Sequence, residues 1–258
     1  MLSPNGSYRL FGFRGIDVFV HWSWFVAAYV LFQLTGGQDL MGFVAIYGSL
    51  FGIVVLHEFG HALACRSVGG QAQRIVLWPL GGVAYVVPPP RPGAVLWSIA
   101  AGPLVNVALL PVFYGLTLAT TGGLQSYFYV MGNINLVLLV FNMMPIYPLD
   151  GGQILQSILW FFMGRAKSLM ITAGIGLAVG GAVFLLAVLG LSDFIPVSRL
   201  MLILLSAFVG WQAWNGFRVA KIMAKMEENE RDGLQRALRR AGDMTSRFPS
   251  GAGGDRRR

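Results

Sequence analysis

The sequence predicts an all-α polytopic membrane protein with about six transmembrane helices and a short membrane-associated β-hairpin. Three observations carry that expectation. Of 258 residues, 55% are hydrophobic and only 12% are charged, about half the roughly 25% of a soluble domain. The apolar residues gather in long runs of about the length a bilayer crossing needs. Lys and Arg gather in alternate connections between those runs, the pattern of cytoplasmic loops.

Six runs stand out: Ile16–Thr35, Met41–Val68, Gly93–Thr120, Tyr127–Ile146, Leu169–Gly190 and Ile195–Val219. The first follows Arg9 and Arg14, as a signal peptide would, but it is too long for a signal-peptide core and no small-residue cleavage site follows clearly. It is read as a retained span. Arg9 and Arg14 precede span one. Arg66, Arg74 and Arg91 lie between spans two and three, Arg165 and Lys167 between spans four and five, and Arg218, Lys221 and Lys225 after span six. The opposite loops hold only Arg199. Both termini are therefore expected in the cytoplasm, with the chain a multi-pass protein of the plasma membrane. The net charge of +8 reads mainly as this topology signal, so no nucleic-acid partner is expected. The lone Cys65 excludes an intrachain disulfide.

Between spans two and three, Gly70–Val87 is too polar and too broken to cross. Ile75–Leu77 and Val83–Val87 favour β-structure around Pro79, Gly81 and Gly82, which reads as a short hairpin or re-entrant loop. An ordinary cytoplasmic loop fits the same residues. Pro88–Pro90 and Pro92 stiffen the connection to span three. Residues 1–220 are expected to form the transmembrane domain. Residues 221–258 are expected to form a basic cytoplasmic tail, helical over Lys221–Arg240 and then disordered in the Gly-, Ser- and Arg-rich stretch Thr245–Arg258.

The chemistry lies in His57-Glu58-Phe59-Gly60-His61. Residues four apart share one helix face, so both imidazoles can bind one Zn²⁺ while Glu58 stands beside it as general base. Two of the three histidines are used here. A satisfied polar cluster is the plainer alternative, but an ionisable residue at mid-span costs at least ~2.5 kcal/mol on insertion scales. A third ligand should be another acid at membrane depth. Asp17 sits at the mouth of span one, Asp39 and Asp193 lie in outer loops, and Glu227 onward belongs to the tail. Only Glu58 and Asp150 lie within or against the apolar core. Asp150 follows Pro145 and Pro148, which end the helix, and precedes Gly151 and Gly152, which let the chain turn back. A surface turn would look similar in isolation. Paired with the span-two motif, Asp150 reads as the third ligand.

The pair HEFGH and NMMPIYPLDGG resembles the site-2 protease family of intramembrane metalloproteases. Gly102-Pro-Leu-Val-Asn106, Pro79-Leu-Gly-Gly82 and Val20-His-Trp-Ser23 add to the resemblance, which covers roughly residues 10–220. It is nearest to the bacterial and archaeal branch with six spans, without the PDZ or C-terminal nucleotide-sensing domain that many members carry. The resemblance implies one zinc per chain on His57, His61 and Asp150, Glu58 as the catalytic base, and a single-span membrane protein cut in or near its span, in regulated intramembrane proteolysis. Asn106 and Asn142 are candidates to hydrogen-bond the substrate backbone or the oxyanion, with interhelical bonding as the equal alternative. Gly81 and Gly82 would let an extended substrate approach the hairpin edge. A metal transporter would need the same ligands but not Glu58. No sequence feature sets the oligomeric state.

Overall fold

The computed structural model describes residues 6–34, 36–78, 81–191 and 198–246. The chain begins with strands β1 (Ser7–Phe13) and β2 (Ile16–His21), then helices α1 (Ser23–Leu34) and α2 (Leu40–Ser67). Strands β3 (Gln71–Trp78) and β4 (Gly81–Val87) follow. Helices α3 (Pro92–Ala119), α4 (Gly122–Asn142), α5 (Asp150–Met163), α6 (Arg165–Val188) and α7 (Arg199–Ser246) complete the described residues. Five of these helices, α2, α3, α4, α6 and α7, are long and apolar enough to cross a membrane. Large apolar side chains on them face outward, among them Leu104, Val107, Val137 and Leu204, as expected where lipid rather than water is the surrounding solvent.

The first expected span is where the structure departs most from the sequence reading. Ile16–Thr35 is not one helix. Its first part is β2, and only twelve residues form α1, about 18 Å of helix against a core of about 30 Å. The segment Ile-Asp-Val-Phe-Val-His is rich in β-branched residues, and it has strands on both sides to pair with. An apolar run by itself does not distinguish a buried strand from a helix.

The expected hairpin is present as β3 and β4, but as half of a four-stranded sheet ordered β1-β2-β3-β4. The outer pairs are antiparallel and β2 runs parallel to β3. The parallel pair follows from α1 and α2 intervening, because parallel strands need a long crossover. The β1–β2 turn uses Arg14 and Gly15 with φ of 48° and 72°, the two left-handed residues of a tight hairpin turn. One face of the sheet presents Ile16, Val18, Ile75 and Leu77, all fully buried, to Val54, Val55 and Ala62 of α2.

Arg66, in the last turn of α2, fastens this sheet to the helix. Its guanidinium donates to the carbonyls of Ala72 (2.8 Å from Nε), Gly15 (2.8 Å) and Arg14. Asp39 caps the other end of α2 by accepting from the Gly42 amide at 2.9 Å, which satisfies one of the unpaired first-turn donors. α4 stops at Asn142, ahead of Pro145 and Pro148, as the sequence predicts. The chain does not then turn back at the glycines. Gly151 and Gly152 lie in the first turn of a new helix, α5, whose first residue is Asp150.

The long tail helix is continuous with the last span, since α7 runs unbroken from Arg199 to Ser246. Of the stretch expected to be disordered, residues 247–258 lie outside the described residues, as do residues 79–80 of the loop motif.

Candidate metal centre

Helix periodicity places His57 and His61 one turn apart on α2, and α3 packs against them. Three α3 residues at four-residue intervals, Ser98, Gly102 and Asn106, face the two imidazoles. The His61 Nδ1–H donates to the Ser98 carbonyl at 2.9 Å. His57 Nδ1 lies 2.5 Å from Asn106 Oδ1. Asn106 directs its own Nδ2 to Asn135 Oδ1 at 2.7 Å, and Asn135 Nδ2 returns to the Asn106 carbonyl at 2.8 Å. Asn106 Oδ1 is therefore the acceptor for His57 Nδ1–H. Gly102 has a steric role: a Cβ there would fall on the His61 ring. Gly60 does the same for the helix pair, because a Cβ on it would strike the Ala101 carbonyl.

With both Nδ1–H groups engaged, the neutral rings present lone pairs on both Nε2 atoms. They stand 3.1 Å apart. Asp150 Oδ2 lies 3.1 Å from His57 Nε2 and 3.5 Å from His61 Nε2, and it is buried with no hydrogen bond of its own. Three acceptors in mutual contact, without a proton among them, repel one another unless a cation sits between them. Ligands about 2.0–2.1 Å from a tetrahedral zinc lie roughly 3.3 Å apart, which matches the observed separations. These atoms are the one candidate metal-binding set among the described residues. They fit one zinc, and the hydrogen bonds behind the imidazoles fix the rings and tautomers as metal-bound histidines require.

Asp150 is delivered by a clamped loop. A Cβ on Gly151 would meet the Met143 and Met144 carbonyls, and one on Gly152 would meet the Ile146 carbonyl and the Tyr147 amide. Neither glycine has positive φ, so close approach, not backbone freedom, is what both glycines provide. Further out, the Tyr147 carbonyl rests against Gly176 of α6 and its ring against Gly216 of α7.

Glu58 is 6% exposed and stands outside the three-atom set. Its Oε2 accepts a hydrogen bond from the Ala84 backbone amide of β4 at 2.9 Å. Asn142 is half-buried at the end of α4, with no side-chain hydrogen bond among the described residues. Gly81 and Gly82 pair with Trp78 and Leu77 on the β4 backbone. His21 is away from the metal set: it bonds Ser23 Oγ at 2.6 Å and stacks on Trp78 with centroids 3.8 Å apart. Cys65 is a fully buried packing residue.

Of the two roles the sequence allows Asn106, its side-chain bonds are interhelical: its oxygen is on His57 of α2 and its NH₂ on Asn135 of α4. Ser98, Asn135 and Ala84 were not foreseen. Gly102 and Asn106 carried a usable signal, since their spacing of four repeats that of His57 and His61 on the facing helix.

Fold and site together define a multi-pass membrane protein with a buried His-His-Asp cluster that can hold a metal ion. The Peptidase family M50 model matches residues 45–122 and 116–188. A putative zinc metalloprotease of Synechocystis is 32% identical over 243 residues, covering 86% of this chain and 63% of that protein. A zinc metalloprotease of Methanocaldococcus jannaschii is 32% identical over 222 residues, covering 84% and 62% respectively. The chain thus spans a little under two thirds of the length of these relatives. The solved structure of the site-2 protease from Methanocaldococcus jannaschii superposes with a TM-score of 0.63 at 30% identity, covering 82% of this chain and 95% of that one. The chain belongs to peptidase family M50, the site-2 protease family of membrane zinc metalloproteases.

Proposed function

We infer that this chain is an intramembrane zinc endopeptidase that hydrolyses a peptide bond in or near the span of a single-span membrane protein. The observation that carries the inference is the convergence of His57, His61 and Asp150 at 3.1–3.5 Å, with a carboxylate beside them that is not part of the set. On this reading the two Nε2 atoms and Asp150 Oδ2 hold the metal, and Glu58 is the base. Zinc at such a site supplies a Lewis acid and an acidified water at its open position. Glu58 takes a proton from the attacking water on Oε1, because Oε2 is held by the Ala84 amide. It then passes a proton to the leaving amine.

The site is shallow. From His61 to Arg66 is five residues, roughly 7.5 Å of helix, so water enters from the side where Arg66, Arg74 and Arg91 lie. By the positive-inside rule that side is the cytoplasm. The five long helices are an odd number, so the count alone does not put both ends there; the N-terminal sheet is held at that end of α2 by Arg66, which bonds the Arg14 and Gly15 carbonyls, and α7 ends on the same side. On this reading the membrane is the plasma membrane.

A helical substrate has its amides already bonded and must open before it is cut. β4 is an edge strand, and its Ala84 amide points away from β3 toward the site. An extended segment can add to such an edge through main-chain hydrogen bonds. Gly81 and Gly82 permit close approach there, and Asn142, whose amide has no partner among the described residues, is the side chain left to bond the substrate backbone.

The test is Glu58→Gln in the purified chain and in cells co-expressing candidate single-span proteins. Zinc content should stay at one per chain while the product cut within the span disappears. A glutamine variant that still cuts would remove the base from the mechanism, and a wild-type protein without zinc would remove the mechanism itself.

A further inference from the structure

One hydrogen bond joins the strand edge to the base. Glu58 is one residue from a proposed zinc ligand, on a helix, yet its carboxylate is secured by a strand. The donor is not a side chain but the backbone N–H of Ala84, at 2.9 Å. Ala84 is opposite Ile75 in the β3–β4 register. In an antiparallel pair, opposed residues alternate between exchanging both backbone hydrogen bonds and pointing both groups outward. Since the Ala84 amide reaches Glu58, position 84 is of the outward kind. The free edge of β4 therefore spends one of its outward donors on the base rather than on a strand partner.

Among the described residues, the Ala84 amide is the only hydrogen-bond donor to this carboxylate. The position of β4 is itself fixed through β3 and β2, whose buried side chains Ile75, Leu77 and Val18 pack on α2, and through Arg66, which bonds the Ala72 carbonyl of β3. The sheet rests on the helix that carries Glu58 and returns a donor to Glu58.

We propose that the Ala84 backbone amide is a positioning group for the base: the outer strand of the sheet orients the Glu58 carboxylate, so that one edge both receives the extended substrate and sets the base against it. The proposal rests on the proteolytic reading of the site. It implies that side-chain identity at position 84 matters little and that the N–H matters much.

Two measurements test it, and the first needs no substrate. In the detergent-solubilised full-length chain, the Ala84 amide should exchange slowly with solvent although it lies on a free edge. That protection should vanish in Glu58→Ala while the inner β3–β4 amides keep theirs. Equal exchange of Ala84 in wild type and Glu58→Ala would overturn the proposal, whatever becomes of the protease assignment. The second uses a single-span substrate that wild type cuts and Glu58→Gln does not. Ala84→Pro deletes the N–H at a position where an edge strand tolerates proline. A hydrogen bond to a charged group is worth about a tenfold to hundredfold effect, so kcat should fall by that factor with zinc content unchanged and KM altered much less. Ala84→Gly, which keeps the N–H, should retain kcat. If proline disturbs the sheet, an ester in place of the 83–84 amide removes the same hydrogen without the ring. Full kcat in the ester variant, or a loss carried wholly by KM, would overturn the positioning role.

Discussion

At the scale of single residues, the centre is built from side chains whose partners lie far away in sequence. Gly102 shows how tight the arrangement is. Its hydrogen occupies the space next to the His61 ring that a methyl group would need. Gly102→Ala should displace the imidazole and lower bound zinc well below one per chain, as metal analysis would register. Gly115→Ala on the same helix meets nothing within 4 Å and should keep full zinc. Asn106→Ala acts differently. It removes the acceptor that fixes the His57 tautomer and leaves Asn135 Oδ1 without its donor. Loss of such an outer partner typically costs 10–100-fold in metal affinity, which a chelator competition would measure. Normal affinity in that variant would mean the ring is held by packing alone.

At the scale of elements, the decisive junction is α2 against the sheet. Arg66 is both the helix-terminal cation, favourably placed at the negative end of the helix dipole, and the donor to Arg14, Gly15 and Ala72 carbonyls. Arg66→Ala would leave those carbonyls without this partner. It should lower the melting temperature, with a loss on the order of 2 kcal/mol from charged hydrogen bonds, and loosen exchange protection in β3 first. A variant as stable as wild type, with β3 protection intact, would show that apolar packing on Val54 and Val55 is enough. The α4–α5 corner has the same logic. Prolines end one helix, glycines admit the next, and Asp150 sits at the seam because the first turn of α5 packs directly on residues 143–147.

At the scale of the whole molecule, the alternation of basic loops makes a topology that can be checked directly. Cys65 is fully buried, so a single introduced cysteine can be labelled over a low background. Thr121→Cys, at the turn between α3 and α4, should react with an impermeant maleimide on intact cells. Lys167→Cys, near the start of α6, should react only after permeabilisation. The opposite pattern would invert the molecule and place the zinc site near the outer surface.

The sequence alone determined the membrane class, the α2 motif and the break before Asp150, and it offered the hairpin as one of two readings, because each is a local property. Hydropathy, a spacing of four, proline and glycine chemistry are all written within a few consecutive residues. The N-terminal strands escaped it, since an apolar run becomes a strand only when partners exist to pair with it, and the β3 residues that pair with β2 lie 57 positions further along the chain. The support behind the metal site escaped it for the same reason. Asn106 on His57, Gly102 beneath His61 and the Ala84 amide on Glu58 join residues 26 to 49 positions apart, and only the packing of α3 and of the sheet against α2 decides which of them meet.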